Sequence, residues 1–169
     1  MQIMRFLKRF QPVVVLAWVL AACAGNPDAL PIGATREQVL QAYGKPTAVW
    51  SLPDGERLQY SRQPAGQQVY NVDLDRSGRV ITTTQSMSDA AFGAVQPDIW
   101  RASDVERAFG KPALTGRVHS FNGIVWSYRY AQPFGLNKQF HVFIDSSGLV
   151  RRTQITDEPD LLDDRIGVK

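Results

Sequence analysis

The chain is poor in the residues that chemistry uses most. It has one cysteine, Cys23, and two histidines, His119 and His141, in 169 residues. A single cysteine excludes an intrachain disulfide. A nucleophile elbow, an HExxH pair and a dinucleotide-binding glycine loop are all absent from the sequence, and no helix-turn-helix or zinc-finger spacing occurs. The apolar run Val13–Ala22 has 10 residues, whereas a membrane-spanning helix takes about 20. The net charge is +3 and the pI about 9.2, but Arg5, Lys8 and Arg9 all precede that run. The rest of the chain has 16 basic and 16 acidic side chains, so the basic pI gives no warrant for a nucleic-acid partner.

The N-terminus carries what the composition lacks elsewhere. Arg5, Lys8 and Arg9 form a positive region, Val13–Ala22 a short apolar one, and Leu20-Ala21-Ala22-Cys23 follows. A charged start and a short apolar segment make a secretory signal. The four residues ending in Cys23 resemble a bacterial lipobox, with Leu20, Ala21 and Ala22 recognised by the lipoprotein signal peptidase and the Cys23 thiol acylated. The resemblance implies residues 1–22 as signal peptide and a covalent lipid on Cys23, palmitate included, as the only group the protein carries: no cofactor and no metal. It also implies the membrane as a partner, because several acyl chains anchor stably where one does not. Ala24, where Asp would favour inner-membrane retention, points to the outer membrane and its periplasmic face. Residues 23–32 are then a tether, and the 12 steps from Cys23 to Thr35 reach at most ~40 Å.

The remaining sequence repeats itself. Ala42-Tyr-Gly44-Lys-Pro46 returns as Ala108-Phe-Gly110-Lys-Pro112, 66 positions on. Val39 aligns with Val105 at the same offset, Tyr60 with Tyr128 at 68, and Asp75-Arg-Ser-Gly78 with Asp145-Ser-Ser-Gly148 at 70. An offset that drifts slowly is the mark of a duplicated unit with small loop insertions. The expected units are 33–85 and 86–155, followed by an acidic flexible tail, 156–169.

Local chemistry gives each unit its elements. Thr35-Arg-Glu-Gln38 is a capping box that starts a helix, Gly44 ends it, and Pro46 sends the chain into an extended form. Gly110 and Pro112 repeat that exit. Ser88–Val95 reads as an extra short helix, and the second unit's main helix begins near Asp98 or Ser103. Period-two alternation in Tyr70–Asp75, Ile124–Tyr130 and Phe140–Asp145 predicts half-buried antiparallel strands. Asp75–Gly78, Asp145–Gly148 and Pro53-Asp-Gly55 are turns. The expected fold is α+β, a tandem repeat of short helices packed on antiparallel sheet, with the units either sharing one sheet or packing sheets edge to edge.

The stretch Gly33-Ala-Thr35-Arg-Glu-Gln-Val39-Leu-Gln-Ala-Tyr-Gly44-Lys-Pro46, together with Trp126-x-Tyr128 and Asp145-Ser-Ser-Gly148-Leu-Val150, resembles the SmpA/OmlA lipoproteins. That family includes BamE, a small subunit of the outer-membrane β-barrel assembly machine. The resemblance implies a small antiparallel sheet with helices on it, and an envelope protein as partner, the barrel-assembly machinery among the choices. Family members carry one unit and this chain two, which resembles the architecture of β-lactamase inhibitor proteins. In the second unit Ile99 and Arg101 stand where Gly33 and Thr35 stand in the first.

The sequence therefore points to a non-enzymatic binding module, a lipoprotein in envelope assembly or maintenance, or alternatively an inhibitor-like or sensing lipoprotein that captures a soluble periplasmic protein. His141 with Asp73 or Asp145 is a weak acid–base constellation, and Asp73-x-Asp75-x-Ser77-Gly78 lacks the Glu that closes an EF-hand loop. The sheet face turned away from the helices is the expected partner surface: Asn71, Asp73, Val125, Ser127, Arg129, His141 and Phe143. On that expectation Phe143→Ala and Arg129→Ala weaken binding without unfolding.

Overall fold

The computed structural model describes Pro27, residues 30–132 and residues 135–158. The signal segment, Leu20, Ala21, Ala22, Cys23 and the tail from 159 on lie outside the described residues. The element order is α1 (Arg36–Tyr43), β1 (Ala48–Leu52), β2 (Gly55–Ser61), β3 (Val69–Asp75), β4 (Val80–Gln85), α2 (Asp89–Gly93), α3 (Ala102–Phe109), β5 (Leu114–Gly116), β6 (Gly123–Ala131), β7 (Asn137–Asp145) and β8 (Val150–Asp157). β1–β4 form one four-stranded antiparallel meander and β5–β8 another. The fold is α+β: two antiparallel sheets with short helices.

Helix α1 begins at the expected box, with the Thr35 amide donating to Gln38 Oε1 at 2.8 Å and the Gln38 amide to Thr35 Oγ1 at 3.3 Å. Helix α3 begins differently. Arg101 has no side-chain acceptor, so only half the box forms, with the Arg101 amide donating to Asp104 Oδ2 at 2.8 Å. A second tie is common to both helices. The first amide of each helix donates into a hairpin turn, Arg36 to the Gly78 carbonyl and Ala102 to the Gly148 carbonyl, both at 2.9 Å. Short helices of this length are marginal alone, and these contacts fix them to their sheets.

Both helices leave through glycine. Gly44 has φ 73° and Gly110 φ 74°, and each amide donates back to its helix, to Leu40 and Glu106 respectively. The tyrosines recur for a matching reason. Tyr60 Oη donates to the Gly44 carbonyl at 3.2 Å and Tyr128 Oη to the Gly110 carbonyl at 2.8 Å. Each hairpin carboxylate, Asp75 or Asp145, accepts from the amide and hydroxyl of the serine two residues on and from the amide four on. Both sheets also shift register at the same place, between Asp73 and Leu74 and between Phe143 and Ile144.

The sheets share no strand, and no strand of one pairs with a strand of the other. Val39 of α1 packs on Leu58, Val72, Leu74 and Val80 on one face of the first sheet. On the other side of that sheet, Val69 joins the larger core of Phe92, Val105, Phe109, Tyr128, Tyr130, Phe140, Val142, Ile144 and Val150. Helices α2 and α3 therefore lie between the two sheets. Phe92 of α2 stacks on Phe140, with centroids 4.1 Å apart, and meets Phe109 and Tyr130 edge-on. Aromatic clusters of this kind contribute about 0.5–1.5 kcal/mol per pair beyond the area they bury. A unit of this size is marginal alone, and Val69 together with the polar contacts of α3 ties the first sheet to the larger core, while the core under α1 remains a separate cluster.

Candidate functional site

Two faces compete for the role of contact surface, and the structure treats them differently. The first sheet's face opposite α1 carries Arg57, Gln59, Asn71 and Asp73. It is filled by the last turn of α3. Gln59 Nε2 lies 3.3 Å and 3.1 Å from the carbonyls of Glu106 and Arg107, and Asn71 Nδ2 donates to the Ala108 carbonyl at 2.8 Å. Arg57 holds Asp73 through two bonds, at 2.6 Å and 2.8 Å, and reaches the Arg107 carbonyl at 3.3 Å. The last carbonyls of a helix have no partner within it, and the first unit's side chains supply that partner for α3. Asn71, 4% exposed, and Asp73 are therefore interior rather than on a free face. The reason is the second unit, whose helices lie where solvent was expected. A cleft of about 220 Å³ lined by Arg57, Trp100, Asp104, Arg107 and Ala108 remains beside this contact. Its charges are paired, Arg57 with Asp73 and Arg107 with Asp104.

The second sheet's outer face presents Val125, Ser127, Arg129, His141 and Phe143, as the alternation requires. It is not uniformly open. Val125 and Phe143 are buried, because Phe121, from the loop before β6, meets Phe143 edge-on at 5.3 Å and Arg152 lays its guanidinium 3.4 Å from the ring centroid. Phe143 is thus a support under the surface rather than part of it, and Phe143→Ala cannot probe binding cleanly. Arg129 is likewise a clamp. It pairs with Glu158 and donates to the Pro64 carbonyl at 3.1 Å, while the Gln63 amide bonds both the N–H and the carbonyl of Arg129 beyond the end of β5. Thr156, Asp157 and Glu158, read as the start of a loose tail, belong to β8 and this clamp.

The centre of the face is a polar row across three strands. Ser127 Oγ lies 2.8 Å from His141 Nδ1, and His141 Nε2 lies 2.8 Å from Thr156 Oγ1. The ring is half-buried, and burial holds its pKa below the ordinary histidine value. Neither Asp73 nor Asp145 bonds to it: Asp73 is tied to Arg57 and Asp145 to its own turn. In a neutral imidazole one nitrogen donates and the other accepts. The row then has three donor hydrogens for two bonds, so one hydroxyl hydrogen is left over whichever tautomer is present. Leu114, Gln154 and Arg152 are exposed around it. The alternation of β6 and β7 made Ser127 and His141 legible, whereas Thr156 and Arg152 were missed, because β8 has no clean alternation.

Among the described residues, no group of three or more His, Cys, Asp or Glu side chains could hold a metal ion, and no helix is long and apolar enough to cross a membrane. No family model and no curated protein matches the chain. Among solved structures it is similar to a DUF4309 family protein, YjgB of Bacillus subtilis, at 15% identity over 74% of this chain and 79% of that one, with a TM-score of 0.27.

Proposed function

We propose that this chain is a non-enzymatic binding module of the bacterial envelope, held by lipid on Cys23 at the periplasmic face of the outer membrane and acting in envelope protein assembly or maintenance. The tandem BamE-like reading of the two units belongs to this proposal. It is supported by the recurrence of the same helix start, glycine exit, tyrosine tie and hairpin carboxylate in both units. The observation that carries the binding role is the contrast between the two sheets. The first sheet's face opposite α1 holds a helix end, and the corresponding face of the second sheet has no such cover among the described residues.

Anchoring adds to recognition, because confinement to a surface raises the effective concentration of a membrane partner. The test is a detergent-solubilised pull-down of the lipidated protein, with Cys23→Ala as control and Arg152→Glu and Gln154→Ala as face variants. Envelope-assembly subunits recovered with the lipidated form and lost with Arg152→Glu are the expected result. The stacked pair of units supports a second reading, the inhibitor-like capture of a soluble periplasmic protein. Recovery of one soluble protein with both the lipidated and the Cys23→Ala form favours that reading and removes the assembly role.

A further inference from the structure

The two polar rows occupy the same place in their units. Gln59, Asn71 and Ser86 in the first match Ser127, His141 and Thr156 in the second, at offsets of 68, 70 and 70. Gln59 pairs with Asn71 across β2 and β3, and Ser127 pairs with His141 across β6 and β7. Each row is bonded end to end: Gln59 to Asn71 at 3.0 Å and Asn71 to Ser86 at 2.6 Å, Ser127 to His141 and His141 to Thr156 at 2.8 Å. The next row places a guanidinium in both units, although Arg57 is paired with Asp73 and the counterparts of that pair, Val125 and Phe143, are apolar. In the first unit it holds the guanidinium of Arg57 over the α3 terminus. In the second unit it is Val125 and Phe143, and the Arg152 guanidinium folds over that Phe143 ring.

What sits on the first row is the last turn of α3, through the carbonyls of Glu106, Arg107 and Ala108, and that turn leads into Ala108-Phe-Gly110-Lys-Pro112. The chain ends one other helix in nearly the same residues, α1 at Ala42-Tyr-Gly44-Lys-Pro46. In α3 the positions that face the first sheet, Asp104, Arg107 and Ala108, are half-buried, whereas their counterparts in α1, Gln38, Gln41 and Ala42, are exposed. We propose that the protein associates with a second copy of itself head to tail, the last turn of α1 from one copy seated on the Ser127–His141–Thr156 row of the other. The left-over hydroxyl hydrogen and the Arg152 guanidinium then meet helix carbonyls that have no partner within the helix and carry the negative end of its dipole. The small side chain of Ala42 permits the approach that Ala108 makes inside the chain. Such a contact is heterologous and does not close on itself as a pair, so association runs on into longer arrays as concentration rises. It rests on the outer-face assignment made above and is independent of the lipid.

The test uses the full chain after residue 22 with Cys23→Ser, so that engineered thiols are the only ones. One sample carries Gln41→Cys on α1 and another Gln154→Cys on the face, and a short bismaleimide links them. The expected result is a cross-linked dimer in the mixture, none in either sample alone, and a ladder in the double variant. Introducing Ser127→Val and Thr156→Val together into the face partner removes the left-over hydroxyl hydrogen and lowers the mixed yield by about two- to tenfold. Arg152→Glu, at an exposed residue, lowers it too and guards against a folding defect in the valine variant. No product in the mixture, or equal product in the single samples, overturns the proposal. Product that forms only after residues 159–169 are deleted assigns the face to the chain's own tail and overturns it as well. If cross-linking fails but Arg152→Glu still abolishes the pull-down, the face binds another protein and only the second copy is excluded.

Discussion

The side-chain amide of Asn71 donates to the main-chain carbonyl of Ala108 at 2.8 Å, 37 residues away. The same Nδ2 group reaches Ser86 Oγ, and Asn71 Oδ1 accepts from Gln59. One side chain thus caps a helix, ties off its own sheet and joins the two units. Leaving a buried donor or acceptor unpaired costs about 1–3 kcal/mol. Asn71→Leu leaves the Ala108 carbonyl, Ser86 and Gln59 each short of a partner. The expected loss is about 2–4 kcal/mol, on the scale of a broken buried network, read as a lower urea midpoint. Because α3 packs against both sheets, the transition stays single for the wild type, and loss of coincidence between fluorescence and circular dichroism in Asn71→Leu reports the units separating.

The glycine exits look alike in sequence and differ in their surroundings. Gly44 and Gly110 share a positive φ and an extended ψ, a region open essentially to glycine, where other residues lose about 1–3 kcal/mol. A Cβ on Gly44 meets nothing within 4 Å, whereas on Gly110 it meets Gln59 Oε1 and Ser61 Cβ at 3.3 Å. Gly44→Ala is expected to show the strain alone and Gly110→Ala the strain plus a displaced interface. Urea denaturation of the two variants side by side checks the order, and a larger loss for Gly44→Ala would contradict it.

Two tyrosine hydroxyls make the same bond at different depths. Tyr128 is fully buried, its pKa pushed up chiefly by burial, and it bonds the Gly110 carbonyl at 2.8 Å. Tyr60 is partly exposed and its bond to Gly44 is 3.2 Å. Tyr128→Phe leaves a buried carbonyl unpaired and is expected to cost about 1–3 kcal/mol, while water replaces the lost bond in Tyr60→Phe at a cost nearer 0.5 kcal/mol. The two denaturation midpoints provide the comparison.

The local elements were legible in the sequence because local chemistry makes them. Thr35 with Gln38, Gly44, Gly110 and the two Asp-x-Ser-Gly turns each satisfy their own backbone within a few residues. The stacking of the units was not legible, because nothing local shows that Asn71 and Gln59 bond carbonyls 37 to 48 positions away. Both residues alternate with apolar neighbours as solvent-facing residues do. The site was half legible for the same reason. Ser127 and His141 follow from strand alternation, but the burial of Val125 and Phe143 depends on Phe121 and Arg152 folding over them from a loop and a neighbouring strand.

The pH dependence of stability should fall in two windows of opposite chemistry and the same sign. Burial holds the folded His141 pKa below its ordinary 6.5, so the folded state disfavours the proton. Its contribution is complete above about pH 6.5 and is lost as pH falls through the depressed folded value. Asp75 and Asp145 are held below the ordinary 3.8. For Asp75 the largest cause is the Arg79 amide, and for Asp145 the Ser147 hydroxyl. Their contribution is complete above that range and is lost as pH falls further, once the carboxylates protonate in the fold. Stability measured by urea denaturation from pH 8 to pH 3 is therefore expected to decline first near and below pH 6 and again in the carboxylate range. His141→Gln, which keeps a donor and an acceptor without a titrating ring, removes the first decline and leaves the second, and Asp145→Asn reduces the second and leaves the first. A first decline that persists in His141→Gln would assign it to another group and leave the neutral Ser127–His141–Thr156 row without its measured signature.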